Sequence, residues 1–467
     1  MVRRVVCLSL LGLAGFAGGA LRAQQAISPD MKAKIDPAVR QVLDSTGVPS
    51  AEVGVVEGGR IVYTAAFGKA RLQPEVAATP AMHSPIGSIS KQFTAACVML
   101  MVEDGKMTLD DPVARWFPEL TRAKDVTVRM LLSHTSGYSD YAPQDYTIPV
   151  WTKPVDPLKL VHEWAEKPLD FEPGTKWQYS NTNFVLATLI VEKVSGEPFW
   201  QLLKTRVLDP LQLHEVLNLD TDRARLEPEG YIRNALGPLR LAILEAPGWY
   251  YGDASLAMPV ADLLRWDISV MDRTLLKPES YKAMETEVLL KDGAPTGYAL
   301  ANDVAIRNGH REIYHSGEVG GFVAQNTILP DDRAAAAVLT NQEASAAAGA
   351  IAAAIVAILE KPAPGKDAGA AEAQVQAMLN GLEDGKLDRS ALTDDCSFYF
   401  SEQAVVDFAT SLKPLGPVVE VKETREALRG GMTFRSFAVS FTEKRVDVTT
   451  YSMPDGKLEQ FLVETVE

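Results

Sequence analysis

The chain has 467 residues, 23% of them charged and 46% hydrophobic, which is enough apolar material for a sizeable core and more length than one ordinary domain uses. Its formal net charge of −15 argues against a nucleic-acid partner, which calls for a basic face, and against adhesion to an anionic membrane surface. Three cysteines, at 7, 97 and 396, rule out a disulfide framework, and no paired Cys-x-x-Cys or His-Glu-x-x-His pattern points to zinc.

Residues 1–23 are of different character. Arg3 and Arg4 precede an uncharged run from Val5 to Leu21, and Ala20 and Ala23 offer a small-residue cleavage site. This reads as a signal peptide, with a periplasmic or secreted mature protein and no membrane span once it is removed. From Ala51 to Phe67, two Val/Ile/Ala-rich runs flank Glu57-Gly58-Gly59-Arg60 and predict a hairpin. Ser88 to Glu103 predicts a helix, with Phe93, Cys97, Leu100 and Met101 at helical spacing and Gly105 beyond its end. Asp110-Asp111-Pro112 signals a further helix start, and Val126 to Met271 reads as mostly helical with Pro-rich connections. Strands follow over Gly297–Asn308, His310–His315, Gly321–Leu329 and Ala334–Asn341, then an Ala/Ile/Val helix over Ala346–Leu359. Strands at both ends of a helical middle imply an α+β domain over residues 27–360, built on one antiparallel sheet.

Residues 361–371, rich in Pro, Gly and Ala, read as a linker. Residues 372–467 form a smaller α+β module, with helices at Glu372–Leu382 and Gln403–Leu412. Strands follow at Val418–Glu423, Phe434–Phe441, Val446–Tyr451 and Leu458–Val463, and Pro454-Asp455-Gly456 turns between the last two.

Three short segments carry chemistry. In Gly87-Ser88-Ile89-Ser90-Lys91 the serine opens a helix and the lysine lies one turn on, where a buried amine loses its proton cheaply. Alone this is ordinary, since about one Ser-x-x-Lys arises by chance in such a chain. In Trp177-Gln178-Tyr179-Ser180-Asn181, Tyr179 can move a proton and Asn181 can bond Lys91 and a substrate amide. In Tyr314-His315-Ser316-Gly317-Glu318, the glycine lets a substrate backbone lie close to a strand.

Their order and spacing together resemble the serine β-lactamase and penicillin-binding-protein superfamily, in its class C β-lactamase-related branch. Val126 to Gly137 and Asp253 to Asp267, with Asp262 and Trp266, resemble further family segments, so that the likeness runs from about Ser28 to Leu359. The resemblance implies Ser88 as acyl-accepting nucleophile and Lys91 and Tyr179 as proton carriers. Asn181, His315, Ser316, Gly317 and Glu318 would contact substrate, and the Ser88 and Glu318 N–H groups would form an oxyanion hole. A Ser-His-Asp triad would recruit His134, but the resemblance makes that residue structural, and no Gly-x-Ser-x-Gly elbow is present. His315 stands where many relatives carry a lysine for a substrate carboxylate, and an ordinary histidine is mostly neutral at pH 7. The expectation is an esterase, amidase or peptidase acting on a small-molecule or peptide acyl substrate, without metal or cofactor, with β-lactam hydrolysis a side activity. The alternatives are a true β-lactamase, a D-Ala-D-Ala carboxypeptidase, or a sensor that stays acylated.

Overall fold

The computed structural model describes residues 27–144, 146–360, 368–429 and 432–465. The expected signal peptide at 1–23 lies outside them, as does most of the expected linker. Contacts divide the chain after Glu360 into two compact units.

The first unit is organised by a seven-stranded antiparallel sheet. Its strands are β1 (Ser50–Glu57), β2 (Arg60–Leu72), β3 (Glu75–Ala77), β4 (Asp303–Arg307), β5 (His310–Val319), β6 (Phe322–Leu329) and β7 (Ala334–Thr340), in the spatial order β3-β2-β1-β7-β6-β5-β4. The first and last strands meet at its middle, Ala51 opposite Thr340 and Val55 opposite Ala336. Side chains alternate across a strand, and both faces are buried. Val53, Val55, Ala336 and Val338 face one apolar cluster together with Ile35, Val39, Ile351 and Ile355. Those four lie on α1 (Pro29–Thr46) and on the C-terminal helix Ala347–Leu359. Val56, Ala335, Ala337 and Leu339 face the larger core of the helical middle.

That middle contributes α2 (Ser90–Glu103), α3 (Asn181–Ser195) and α4 (Val260–Asp272), besides shorter helices, a small three-stranded sheet and a two-stranded one. It is less helical than expected: Tyr231–Arg233 pairs with Leu239–Leu241 as a hairpin, and Asp110-Asp111-Pro112 leads only into a 3-10 turn at Val113–Arg115. Gly54 faces α4 so closely that a Cβ there would stand 2.6 Å from Leu264 Cδ1. Helix α1, unanticipated from sequence, is capped by Ser28 and ended by Gly47 in the left-handed region. The first of the late strands is shorter than expected, because Tyr298–Leu300 run into a turn at Ala301 (φ 64°). The next is longer, running on through Ser316, Gly317 and Glu318.

The second unit has its own core. A four-stranded antiparallel sheet, β8 (Val418–Arg429), β9 (Met432–Phe441), β10 (Arg445–Ser452) and β11 (Leu458–Thr465), buries Phe437, Val439, Val448 and Phe461 against Leu379, Leu382, Phe400 and Leu412 of its helical part. Its first helix begins at Ala368, so the last four residues of the stretch read as linker are helical; alanine is the strongest helix former and continues the helix backwards. Cys97 and Cys396 are buried free thiols in different units.

Candidate active site

Ser88 lies in a single 3-10 turn, Gly87–Ile89, that feeds into α2, so the helix proper starts two residues later than the sequence suggested. Hydrogen bonds to the segment before α4 hold this start in place. Leu256 N donates to Ser90 Oγ, Ile86 N to Leu256 O, and Thr94 Oγ1 to Gly252 O. Trp266 stacks on Phe93 and donates to Gln92 Oε1 at 2.7 Å, so that the segment marked by Asp262 and Trp266 anchors the helix carrying the serine.

Lys91 is fully buried. Its Nζ donates to Ser88 Oγ at 3.0 Å, Asn181 Oδ1 at 2.8 Å and the Asp253 carbonyl at 3.1 Å. The Tyr179 hydroxyl is hydrogen-bonded to Ser88, and Nζ lies 5.0 Å from the centre of its ring. A hydroxyl, an amine and a phenol from two distant segments thus share one spot. Burial draws the Lys91 amine well below the usual lysine range, opposed by Asp253 and Asp140. Burial pushes the Tyr179 phenol well above its ordinary value, with the bond to Ser88 opposing. At neutral pH the phenol therefore holds its proton, and the amine is the group closer to releasing one.

His134 fixes Tyr179 from beneath. It sits in the left-handed region (φ 58°), a conformation histidine takes more readily than most residues. Its carbonyl accepts from Gln178 N at 3.0 Å and its Nδ1 from Ser180 N at 3.1 Å, while its ring packs 4.2 Å from the ring of Tyr179. Burial holds the imidazole neutral. It supports Tyr179 without a hydrogen bond to Ser88. Asn181 opens α3, and Asp140, which sequence reasoning missed, turns its amide. Asn181 N donates to Asp140 Oδ1 at 2.9 Å and Nδ2 to Oδ2 at 3.3 Å, which leaves the amide oxygen toward Lys91.

Strand β5 passes beside the serine turn at a distance only glycines permit. A Cβ on Gly317 would stand 1.9 Å from Ile86 O and 3.0 Å from Ser88 N, and one on Gly87 would stand 2.4 Å from Glu318 N. The Ser88 and Glu318 amides therefore border one narrow gap. Ser316 and Glu318 are exposed and line the cavity above it; Glu318 also accepts from Ala344 N at 2.6 Å. His315 is buried. Its Nδ1 donates to Ser316 O at 2.5 Å, and its Nε2 accepts from the Tyr298 hydroxyl at 2.8 Å. Burial lowers its pKa to about 4, so both ring nitrogens are engaged and the ring is uncharged.

The cavity over Ser88 has a volume of about 650 Å³. Trp151, Trp177, Trp249, Tyr141, Tyr250 and Tyr298 form much of its wall. Its ionisable lining is acidic, made of Asp140, Glu245, Asp253, Asp303, Glu318 and Glu343, with no lysine or arginine among the described lining residues. Among the described residues no cluster of His, Cys, Asp and Glu could hold a metal ion, and no helix is long and apolar enough to cross a membrane.

A family model described as beta-lactamase matches residues 35–360. The chain belongs to the beta-lactamase family of serine hydrolases. Penicillin-binding protein 4* of Bacillus subtilis is 28% identical over 311 residues, covering 62% of this chain and 67% of its own. A D-aminopeptidase of Brucella canis is 28% identical over 315 residues, which span 65% of this chain and 58% of that enzyme. Among solved structures, a D-stereospecific amidohydrolase from Streptomyces sp. superposes with a TM-score of 0.59 at 26% identity, over 68% of this chain and 96% of its own. A penicillin-binding protein homologue from Pyrococcus abyssi shares the fold over 92% of this chain and 99% of its own, with a TM-score of 0.62 at 21% identity. The family match takes in all three chemistry-bearing segments and stops where the first unit ends.

Proposed function

We propose that this hydrolase forms an acyl-enzyme on Ser88 and cleaves an ester, amide or peptide bond in a substrate that carries a protonated amine near the scissile carbonyl. The observation that carries this reading is the acidic, aromatic cavity over a Ser88–Lys91–Tyr179 contact, with a neutral His315 where a carboxylate-binding cation would be needed. Burial raises the carboxyls of Asp303 and Glu343, and an ammonium group placed among the lining acids draws them back toward the ionised form and meets the faces of the aromatic rings, whereas a carboxylate finds no cationic side chain in the lining. The D-aminopeptidase and D-amidohydrolase names among the relatives support the same class.

In the proposed reaction Ser88 Oγ bonds to the carbonyl carbon as its proton passes to Lys91 Nζ. Negative charge on the carbonyl oxygen is met by the Ser88 and Glu318 N–H groups. The scissile bond breaks as Tyr179 gives its phenolic proton to the leaving nitrogen or oxygen and takes the proton from Lys91. Water then repeats the sequence on the acyl-enzyme, with its proton relayed by the same two groups. Export is part of the proposal, and N-terminal sequencing of the mature protein is expected to begin near Gln24.

The test compares turnover of a D-amino acid p-nitroanilide, p-nitrophenyl butyrate, nitrocefin and a D-Ala-D-Ala peptide. The amine-bearing substrate is expected to lead. Nitrocefin or the carboxylate-ended peptide as best substrate by a wide margin overturns the substrate class. Labelling by a fluorophosphonate probe that survives in Ser88→Ala overturns the nucleophile.

A further inference from the structure

We infer that Asp253 is a positioning residue of this site, a buried carboxyl that shares a proton with Lys91 and so sets how readily the amine accepts one from Ser88. The inference rests on the roles given to Ser88 and Lys91 above.

Asp253 is 1% exposed and forms part of the cavity wall. Its Oδ2 stands 3.9 Å from Lys91 Nζ, and among the described residues it is the one carboxylate paired with that amine. The same residue's carbonyl accepts one of the Nζ protons, so backbone and side chain both address Lys91. The Tyr141 hydroxyl lies 2.9 Å from Oδ2 and closer still to the Trp249 carbonyl. A phenol has a single proton to donate. When that proton goes to the carbonyl, which has none to return, the contact with Oδ2 is a hydrogen bond only if Asp253 supplies the proton. Oδ1 has no partner among the described residues, although buried carboxylate oxygens are ordinarily satisfied.

Two arrangements of one proton therefore fit the same heavy atoms. In the first, an ammonium faces a carboxylate that accepts from Tyr141. In the second, an amine faces a carboxylic acid that donates to Tyr141, and the nitrogen lone pair is available to the Ser88 hydroxyl. The two have equal net charge, and burial penalises the neutral pair less. Burial also drives the two groups toward one another, the amine downward and the carboxyl upward, which is the condition for sharing. The other groups around the pair do not replace Asp253. Asp140 reaches Lys91 through Asn181, His134 and His315 are held neutral, and the Tyr141 and Tyr179 phenols are held protonated by burial.

The experiment measures the second-order rate of Ser88 phosphonylation by a fluorophosphonate between about pH 4 and pH 9 in the full chain. In that reaction Oγ bonds to phosphorus, fluoride departs, and the hydroxyl proton goes to Lys91. Its acid limb reports protonation of the amine. Replacing the carboxylate in Asp253→Asn removes what holds a proton on Lys91, and the limb is expected to move to lower pH by about 1–3 units. Tyr141→Phe, which removes the donor that favours the ionised carboxyl, keeps the ring volume and is expected to move the limb the same way by a smaller step. An unmoved limb in both variants, with only a lower plateau, overturns the inference and leaves Asp253 structural. Should Asp253→Asn not fold, an unmoved limb in Tyr141→Phe overturns it alone. Labelling that persists in Ser88→Ala strikes the nucleophile assignment instead, so the two failures are separable.

Discussion

At the residue scale, the chemistry depends on what burial does to each ionisable group. His315 titrates near pH 4 in the folded chain and near 6.5 when unfolded. Between these values the unfolded chain binds a proton that the folded chain does not, so stability falls as pH drops from 6.5 toward 4, by about 1.4 kcal/mol for each unit. His315→Asn is expected to flatten part of this slope in denaturant titrations. Above pH 5.5 His315 stays uncharged, and substrate KM should show no inflection near 6.5 from this ring; an inflection there that disappears in His315→Asn contradicts the assignment. Removing the phenol in Tyr179→Phe is expected to lower kcat by about 10²–10⁴-fold, the usual range for a lost proton carrier, in a steady-state assay. The meeting of Ser88, Lys91 and Tyr179 is legible in the sequence because a helix places i and i+3 on one face and because the three segments together resemble the family. Asp140 and Asp253 are not, since each meets the site only through a fold-made contact with a residue far away in the chain. Asp253 stands at the head of a segment noticed only for its resemblance, and nothing in its neighbours marks it as a partner of Lys91.

At the element scale, close approach between β5 and the serine turn positions the two amides. The late strands are readable from their apolar runs, but the pattern ends β5 at His315, because Ser316, Gly317 and Glu318 break the β-branched run. They continue as strand since β6 supplies the pairing, Gly317 opposite Ala324 and Glu318 opposite Val323. Gly317→Ala places a methyl group against backbone that cannot yield, so the strand must move off. We expect the phosphonylation rate to fall about 100-fold or more, the scale of losing an oxyanion donor, while circular dichroism stays close to wild type. On the same face of the sheet but away from the serine turn, Gly54→Val is expected to force Leu264 and Val260 aside and to cost about 1–3 kcal/mol in urea unfolding, with little change in labelling chemistry. Helix α1 escaped notice because Pro37 interrupts it and few of its residues are apolar; the structure tolerates that proline and buries Ile35 and Val39 around it.

At the scale of the whole molecule, each unit closes its own apolar cluster. Removing residues 361–467 is therefore expected to leave a folded first unit that still reacts with a fluorophosphonate at close to the full-chain rate. A truncated chain that folds but no longer labels would assign the second unit a part in the chemistry. The break in composition at Lys361 was visible in the sequence, whereas the helix reaching back to Ala368 was hidden by the same alanines and glycine that suggested a flexible tether.

The central pairing of β1 with β7 joins residues almost three hundred positions apart, Ala51 with Thr340. Until the last of those strands leaves the ribosome, β1 lacks its partner on one side and the sheet cannot close. Such long-range closure makes folding slow. Ribosome-stalled chains ending near residue 330 should then be digested rapidly by added protease, and chains extended past residue 360 with enough further length to clear the exit tunnel should resist it.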